Sequence, residues 1–235
     1  MSLRHGMRRG AFLVVCFAAG PAAAQQAIVN MPSADITPQG AVFLMHETQA
    51  RPWQPGRFWY GTNFFAYGVG RNTELAVTTY NTGVPSVPNQ ALGFGFKSAL
   101  PLAKSSLEPK LTVGAMGLAS FRRQGWGHFA YSHYSFRTPR TKTRLTLGGW
   151  WGAPQLFRYH TANVLAGVEH PIHKKVVLLG EWFAGAHDLG FAIPGILYHP
   201  TPRQFIVVGY KIANDVRNGF SGLVVEYGFY LGGKN

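Results

Sequence analysis

His133 and Ser135 stand two residues apart, and on an extended strand that spacing puts both side chains on one face. An imidazole beside a hydroxyl can take its proton and make it a nucleophile, so the pair could support ester hydrolysis. Six charged residues offer a different chemistry. Glu74, Lys97, Arg144, Glu169, Lys211 and Glu226 each interrupt a run of alternating apolar residues, and they fall in phase with glycine or threonine. Charges of both signs on one face can pair and stiffen a fold, or stay hydrated and bias which solute passes. Glu47 and Glu181 are possible members whose phases are ambiguous. The remaining histidines lack metal-ligand spacing, and neither a phosphate loop nor a dinucleotide fingerprint is present, so no metal and no cofactor is expected.

Strands must carry these residues. Alternating runs of roughly ten residues recur along the chain, with polar or Gly/Pro breaks between them, which is the pattern of a β-barrel in lipid. The runs are 41–49, 63–70, 73–81, 90–98, 110–120, 128–136, 143–151, 162–170, 175–184, 191–199, 204–212 and 220–231. Ten strands remain if the first or second run lies outside the sheet. Leu92, Phe94 and Phe96 oppose Gly93, Gly95 and Lys97; Leu145 and Leu147 oppose Arg144, Thr146 and Gly148. Val208, Tyr210 and Ile212 oppose Gly209 and Lys211, and Val225, Tyr227 and Phe229 oppose Glu226 and Gly228. A basic residue facing lipid at mid-depth costs about 2–4 kcal/mol, so the charged face is the inward one. The expected class is all-β: a transmembrane antiparallel up-and-down barrel over 41–235.

The start of the chain bounds the compartment. Arg4, Arg8 and Arg9, the apolar run Ala11 to Ala19 and the small residues Ala22 to Ala24 make residues 1–24 a cleavable secretory signal. Residues 25–40 then form a periplasmic segment ahead of the barrel. The single cysteine, Cys16, lies in the signal, which excludes disulfides, zinc-thiolate sites and cysteine nucleophiles from the mature chain. A formal net charge of +13 could serve nucleic acid, but no Lys/Arg cluster on a helix and no binding module accompanies it, so no nucleic-acid partner is expected. After the signal no apolar run reaches the ~18 residues of a spanning helix.

With both barrel ends in the periplasm, the breaks at Arg71-Asn72, 99–109, 137–142, 171–174 and 200–203 are periplasmic turns. The alternate breaks are external, and none is long enough to be a large plug. All six tryptophans, Trp53, Trp59, Trp126, Trp150, Trp151 and Trp182, then fall at the external end, where an interfacial aromatic girdle belongs. Arg51, Arg57, Arg122, Arg123, Arg158 and Arg217 are external too, placed to meet lipopolysaccharide phosphates or to concentrate an anionic solute. Inward Gly93, Gly95, Gly148, Gly167 and Gly209, with Gly222 and Gly228, would leave volume for a water-filled passage or permit the bending and close backbone approach of a tightly curved sheet.

Three resemblances follow from these residues. Gly222, Val225, Tyr227 and Phe229 resemble the last strand by which the outer-membrane assembly machinery recognises its substrates, with a tail, Tyr230 to Asn235, beyond the usual terminal aromatic. In length and strand count the chain is similar to the small twelve-stranded oligosaccharide and nucleoside porins of Gram-negative bacteria, which implies an outer-membrane location and passive diffusion of small hydrophilic solutes, anionic ones among them if the external arginines act at the mouth. His133-Tyr134-Ser135 resembles the His-x-Ser pair of outer-membrane phospholipase and lipid A deacylase barrels, where both side chains project toward lipid. Phe136 follows Ser135, however, and 143–151 offers no outward Asn, Asp or Glu to orient the imidazole. The expected function is therefore a channel and not an enzyme, with lipid hydrolysis at His133/Ser135 and a closed structural barrel as alternatives.

Overall fold

Bulky apolar residues alternating with Gly, Ala and Thr give each segment one face that tolerates hydrocarbon and one that packs inward. Closing the sheet is what leaves no unpaired strand edge in lipid. The computed structural model describes residues 26–53, 56–81, 90–121, 125–157, 161–187 and 189–233, and within them twelve strands close in this way. They are β1 (Ala41–Arg51), β2 (Phe58–Gly70), β3 (Thr73–Asn81), β4 (Gln90–Pro101), β5 (Lys110–Ser120), β6 (Trp126–Arg137), β7 (Arg144–Gly152), β8 (Ala162–His173), β9 (Val176–Phe183), β10 (Phe191–Thr201), β11 (Gln204–Ala213) and β12 (Gly222–Gly232). Each pairs antiparallel with its chain neighbours, and β1 closes on β12 from Ala41↔Gly232 to Ala50↔Leu223. The ten-strand alternative is thereby removed. A four-residue helix, α1 (Pro154–Phe157), lies between β7 and β8, and no helix among the described residues is long and apolar enough to cross a membrane.

Strand boundaries move outward from the sequence expectation at several ends, β2, β4, β8 and β10 among them. β2 starts at Phe58, five residues before the run read from the sequence, because Trp59 and Gly61 extend its pairing with β1. β8 and β10 run on through Pro171 and Pro200, with register irregularities at Pro171/His173 and Tyr198/Thr201. Proline has no N–H for the ladder, so a bulge is where a strand can hold one.

The two ends differ. One carries tight connections and both barrel termini, including the Arg71-Asn72 turn, whose φ angles of 52° and 60° are left-handed; this is the short-turn end. The other, the loop end, carries α1 and the longer connections. Leu75, Phe94, Leu147, Ile196 and Val208 point out and are exposed. Trp59, Trp126, Trp151 and Trp182 ring the outside of the loop end. Trp150 departs from the expected girdle: it points inward and is 3 % exposed, because the alternation of β7 gives it the phase of Arg144 and Thr146.

A lumen closed from within

Alternation on the strands brings the charged residues read from the sequence into one interior. Glu74, Lys97, Arg144, Lys211 and Glu226 are buried on the inward face, Glu169 shares their phase, and the two ambiguous carboxylates, Glu47 and Glu181, join them. Glu47 and Glu226 stand directly across the β1–β12 seam. Lys211 reaches Gln49 Oε1 at 3.3 Å and sits 4.0 Å over the Phe220 ring.

The described part of the N-terminal segment, 26–40, lies inside the barrel and not as the periplasmic segment expected from the sequence. It runs up inside the barrel, turns and comes back down. Ile28 N donates to Met31 O at 2.7 Å, Ser33 N donates to Gln26 O, and Ala27 bridges Pro32 antiparallel. The product is a tight hairpin with Ile28, Met31, Ser33 and Ala34 wholly buried. Its composition explains the placement: apolar residues for packing, a turn at Asn30, and backbone groups that need partners once water is excluded.

Inward charges supply those partners. The N–H groups of Val29, Asn30 and Met31 converge on the Glu181 carboxylate at 2.8, 2.9 and 3.0 Å, so the tip closes on an anion as a nest of successive amides. Lower down, Arg144 Nη1 and Nη2 grip Asp35 at 2.7 and 2.8 Å, and Nη1 also meets Glu169 Oε2 at 3.2 Å. This bidentate geometry is the strong form of an arginine–carboxylate pair. Lys97 Nζ donates to Gln26 O and Oε1 at 2.7 and 2.8 Å while pairing with Glu74 at 3.3 Å, and Glu74 accepts from Thr37 N at 2.7 Å. Four of the charges that could have lined a passage, Glu74, Lys97, Arg144 and Glu181, thus hold the segment that fills it.

Of the two uses read from the sequence for the inward glycines, close approach is the one the structure displays. A Cβ at Gly93 would lie 2.7 Å from Thr78 Cγ2, and one at Gly209 2.9 Å from Ile193 Cγ2. Gly95 and Gly148 meet the backbone of Ala115 and Ser132 more closely still, while Gly167 is covered by Ile28 and Met31 of the hairpin. These positions admit close neighbours instead of leaving open water.

The loop end is shut differently. Trp150 stacks on Phe183 and lies 4.3 Å, centroid to centroid, from Phe157, with His187 edge-on to all three rings. Leu156 and Phe157, delivered by α1, press against Gly127 and Gly152. Between this cluster and the hairpin remains a cavity of about 140 Å³, lined mainly by apolar groups such as Met45, Phe64, Met116 and Leu118.

His133 and Ser135 face this interior, 1 % and 2 % exposed, so the lipid-facing pair allowed by the sequence is not formed. The two phases of β6 are equally apolar, and the neighbours decide: Gly114 and Gly148 face inward and admit Tyr131 and His133 beside them. Of the arginines assigned to the mouth, Arg57 and Arg217 are exposed at the loop end and Arg51 is half-buried. Arg122, Arg123 and Arg158 lie outside the described residues, as does the expected signal, 1–24. Among the described residues no group of three or more His, Cys, Asp or Glu is placed to hold a metal.

No protein-family model matches the chain, and no curated protein sequence matches it either. Among solved structures it is similar to an outer membrane channel from Pseudomonas putida F1, with a TM-score of 0.50 and 12 % identity, covering 86 % of this chain and 100 % of that one. A comparison with outer membrane phospholipase A from Escherichia coli gives a TM-score of 0.49 and 11 % identity over 83 % of this chain and 94 % of that one. The fold is that of a Gram-negative outer-membrane barrel of twelve strands.

Proposed function

We propose that the chain is an outer-membrane channel for small hydrophilic solutes, held shut in its resting state by its own N-terminal hairpin. The observation that carries this reading is the way the hairpin is attached. It adds no strand to the sheet, and its main anchors are polar contacts to Glu181, Arg144, Lys97 and Glu74 on the wall. Withdrawal toward the short-turn end leaves the wall intact and exposes a charged lining. The loop end is also closed in part by a segment outside the sheet, α1, whose movement takes Leu156 and Phe157 from the aromatic cluster.

The lining has both signs, with Glu47, Glu74, Glu169, Glu181 and Glu226 facing Lys97, Arg144 and Lys211. Preference for anions therefore rests on the loop-end arginines, Arg51, Arg57 and Arg217, which also suit anionic lipid headgroups. The test is conductance in planar bilayers of the full chain and of a chain lacking residues 27–36. We expect few and brief openings from the first, stable steps from the second, and a reversal potential favouring anions that Arg57→Ala and Arg217→Ala together reduce. Silence from a folded, hairpin-deleted barrel would refute the channel and favour a closed structural barrel.

A further inference from the structure

The outer wall carries a polar cluster where hydrocarbon is the expected neighbour. Phe43, Met45 and Glu47 face inward on β1, so His46 and Thr48 face out, and on β2 Asn63 stands across from His46. His46 Nδ1 lies 2.8 Å from Asn63 Oδ1, and His46 Nε2 lies 3.1 Å from Thr48 Oγ1. Asn63 in turn donates through N and Nδ2 to Thr79 Oγ1 on β3, at 3.1 and 3.2 Å.

These bonds fix one tautomer. An amide oxygen can only accept, so Nδ1 carries the proton and Nε2 presents its lone pair to the Thr48 hydroxyl. Hydroxyl, imidazole and orienting group in this order make a nucleophile, its base and the group that sets the base's tautomer. Gly61, across from Thr48, gives the ring room: a Cβ there would lie 3.3 Å from His46 Cε1. Ionisable and amide side chains are rare on lipid-facing surfaces, and where they occur they mark function.

The surroundings indicate the substrate. Leu44, Phe65, Val77, Tyr227 and Phe229 wall a groove of about 360 Å³ that includes His46, Asn63 and Thr79. The nucleophile candidate Thr48 stands across from Gly61, two residues along β2 from the exposed Trp59, roughly 5 Å below the loop-end girdle at the rise and tilt of a barrel strand. That depth is just inside the interface marked by the girdle, where the ester carbonyls adjoin the upper acyl chains.

We propose that Thr48, His46 and Asn63 form a hydrolytic site on the lipid-facing wall, acting on acyl esters of membrane lipids. Thr48 Oγ attacks the ester carbonyl as His46 Nε2 takes its proton. The carbonyl C–O bond then breaks, the departing lipid alcohol takes that proton, and the acyl group remains on Thr48 as an ester. Water, deprotonated by His46, attacks this ester, the fatty acid leaves, and Thr48 recovers its proton. Asn63 acts as a positioning residue through His46.

The test uses the full chain in phosphatidylethanolamine vesicles, with lipopolysaccharide micelles and p-nitrophenyl butyrate as separate arms. Expected is fatty acid release in a lipid arm, abolished by Thr48→Val, lowered at least about 100-fold by His46→Ala, and retained by Thr48→Ser. Asn63→Ala lowers kcat with little change in KM, and Asn63→Asp restores it. Mass spectrometry finds an acyl adduct on Thr48 in the first turnover. Heat-dependent electrophoretic migration shows that each variant keeps its barrel. Equal release from wild type and Thr48→Val in both lipid arms would overturn the site, and hydrolysis of the butyrate ester alone would overturn its assignment to membrane lipid.

Discussion

Replacing Glu181 by alanine removes the acceptor for three successive amides at the tip of the lumenal hairpin. Hydrogen bonds to a charged group contribute about 1.5–3 kcal/mol each, which puts the gross loss near 5–9 kcal/mol. The vacated side chain lets water reach the same amides and recover much of this. The bonds are also not additive, so we expect a net loss of about 3 kcal/mol in holding the tip, or a ~150-fold increase in its opening equilibrium. Hydrogen exchange reads that equilibrium directly. The amides of Val29, Asn30 and Met31 should exchange ~150-fold faster in Glu181→Ala than in the unsubstituted chain, while the strand amides of β4 and β11 keep their rates. Glu181→Gln retains a neutral acceptor of roughly half the strength and should fall between the two. Unchanged exchange at the three amides in Glu181→Ala would refute the nest as the hairpin's anchor. Faster exchange throughout the barrel would show that Glu181 supports the wall instead.

Further outcomes follow from the same contacts. Gly167→Val places methyl groups where Ile28 and Met31 now lie, so it should eject the hairpin and reproduce the long openings of the deleted chain in planar bilayers. Trp150→Ala empties the centre of the loop-end aromatic cluster and should lower stability by about 3–5 kcal/mol in urea unfolding from vesicles. In the connection between β11 and β12, hydrogen bonds from Arg217 hold the Asp215 carboxyl near 2, below its ordinary 3.8. A lowered value means that the pairing favours the folded loop above pH 3.8 and is lost as pH falls through about 2. The carboxyl carbon resonance of Asp215 should therefore titrate near 2, and Arg217→Ala should move the midpoint upward.

Much of the wall was legible because lipid imposes a two-residue period that only the correct register satisfies. On β4, β7, β11 and β12 the phase read from glycine and charge is the one observed, and all six charged residues assigned inward are inward. Phase is illegible where neither face of a strand is the more apolar. On β6 both sets mix aromatic, serine and histidine, so only Gly114 and Gly148 on the neighbouring strands decide where His133 points. The hairpin was hidden for another reason. Residues 26–40 have no strand period, and their place depends on buried partners up to 204 positions away, such as Tyr230 for Gln26 and Glu181 for Val29. Signals for the outer cluster were present. Once Glu47 is inward, His46 and Thr48 must be outward, and a histidine facing lipid requires a partner; Asn63 opened the run read as the second strand.

A single strand thus serves two chemistries. Along β1, Glu47 faces the lumen and its carboxylate accepts from Gln49 at 2.7 Å, while His46 and Thr48 on either side face outward. Because the wall between them is one residue thick, the two sites share a backbone and no side chain. A substitution at Glu181 acts on the hairpin without touching the outer cluster, and Thr48→Ser acts on the cluster without entering the lumen. The two proposals are therefore thermodynamically separable unless the β1–β2 ladder itself shifts. If it does, Glu181→Ala alters fatty acid release as well as conductance. In that event hairpin withdrawal and the His46–Asn63 contact are coupled across the sheet, and a double substitution of Glu181 and Asn63 would show non-additive effects on both readouts.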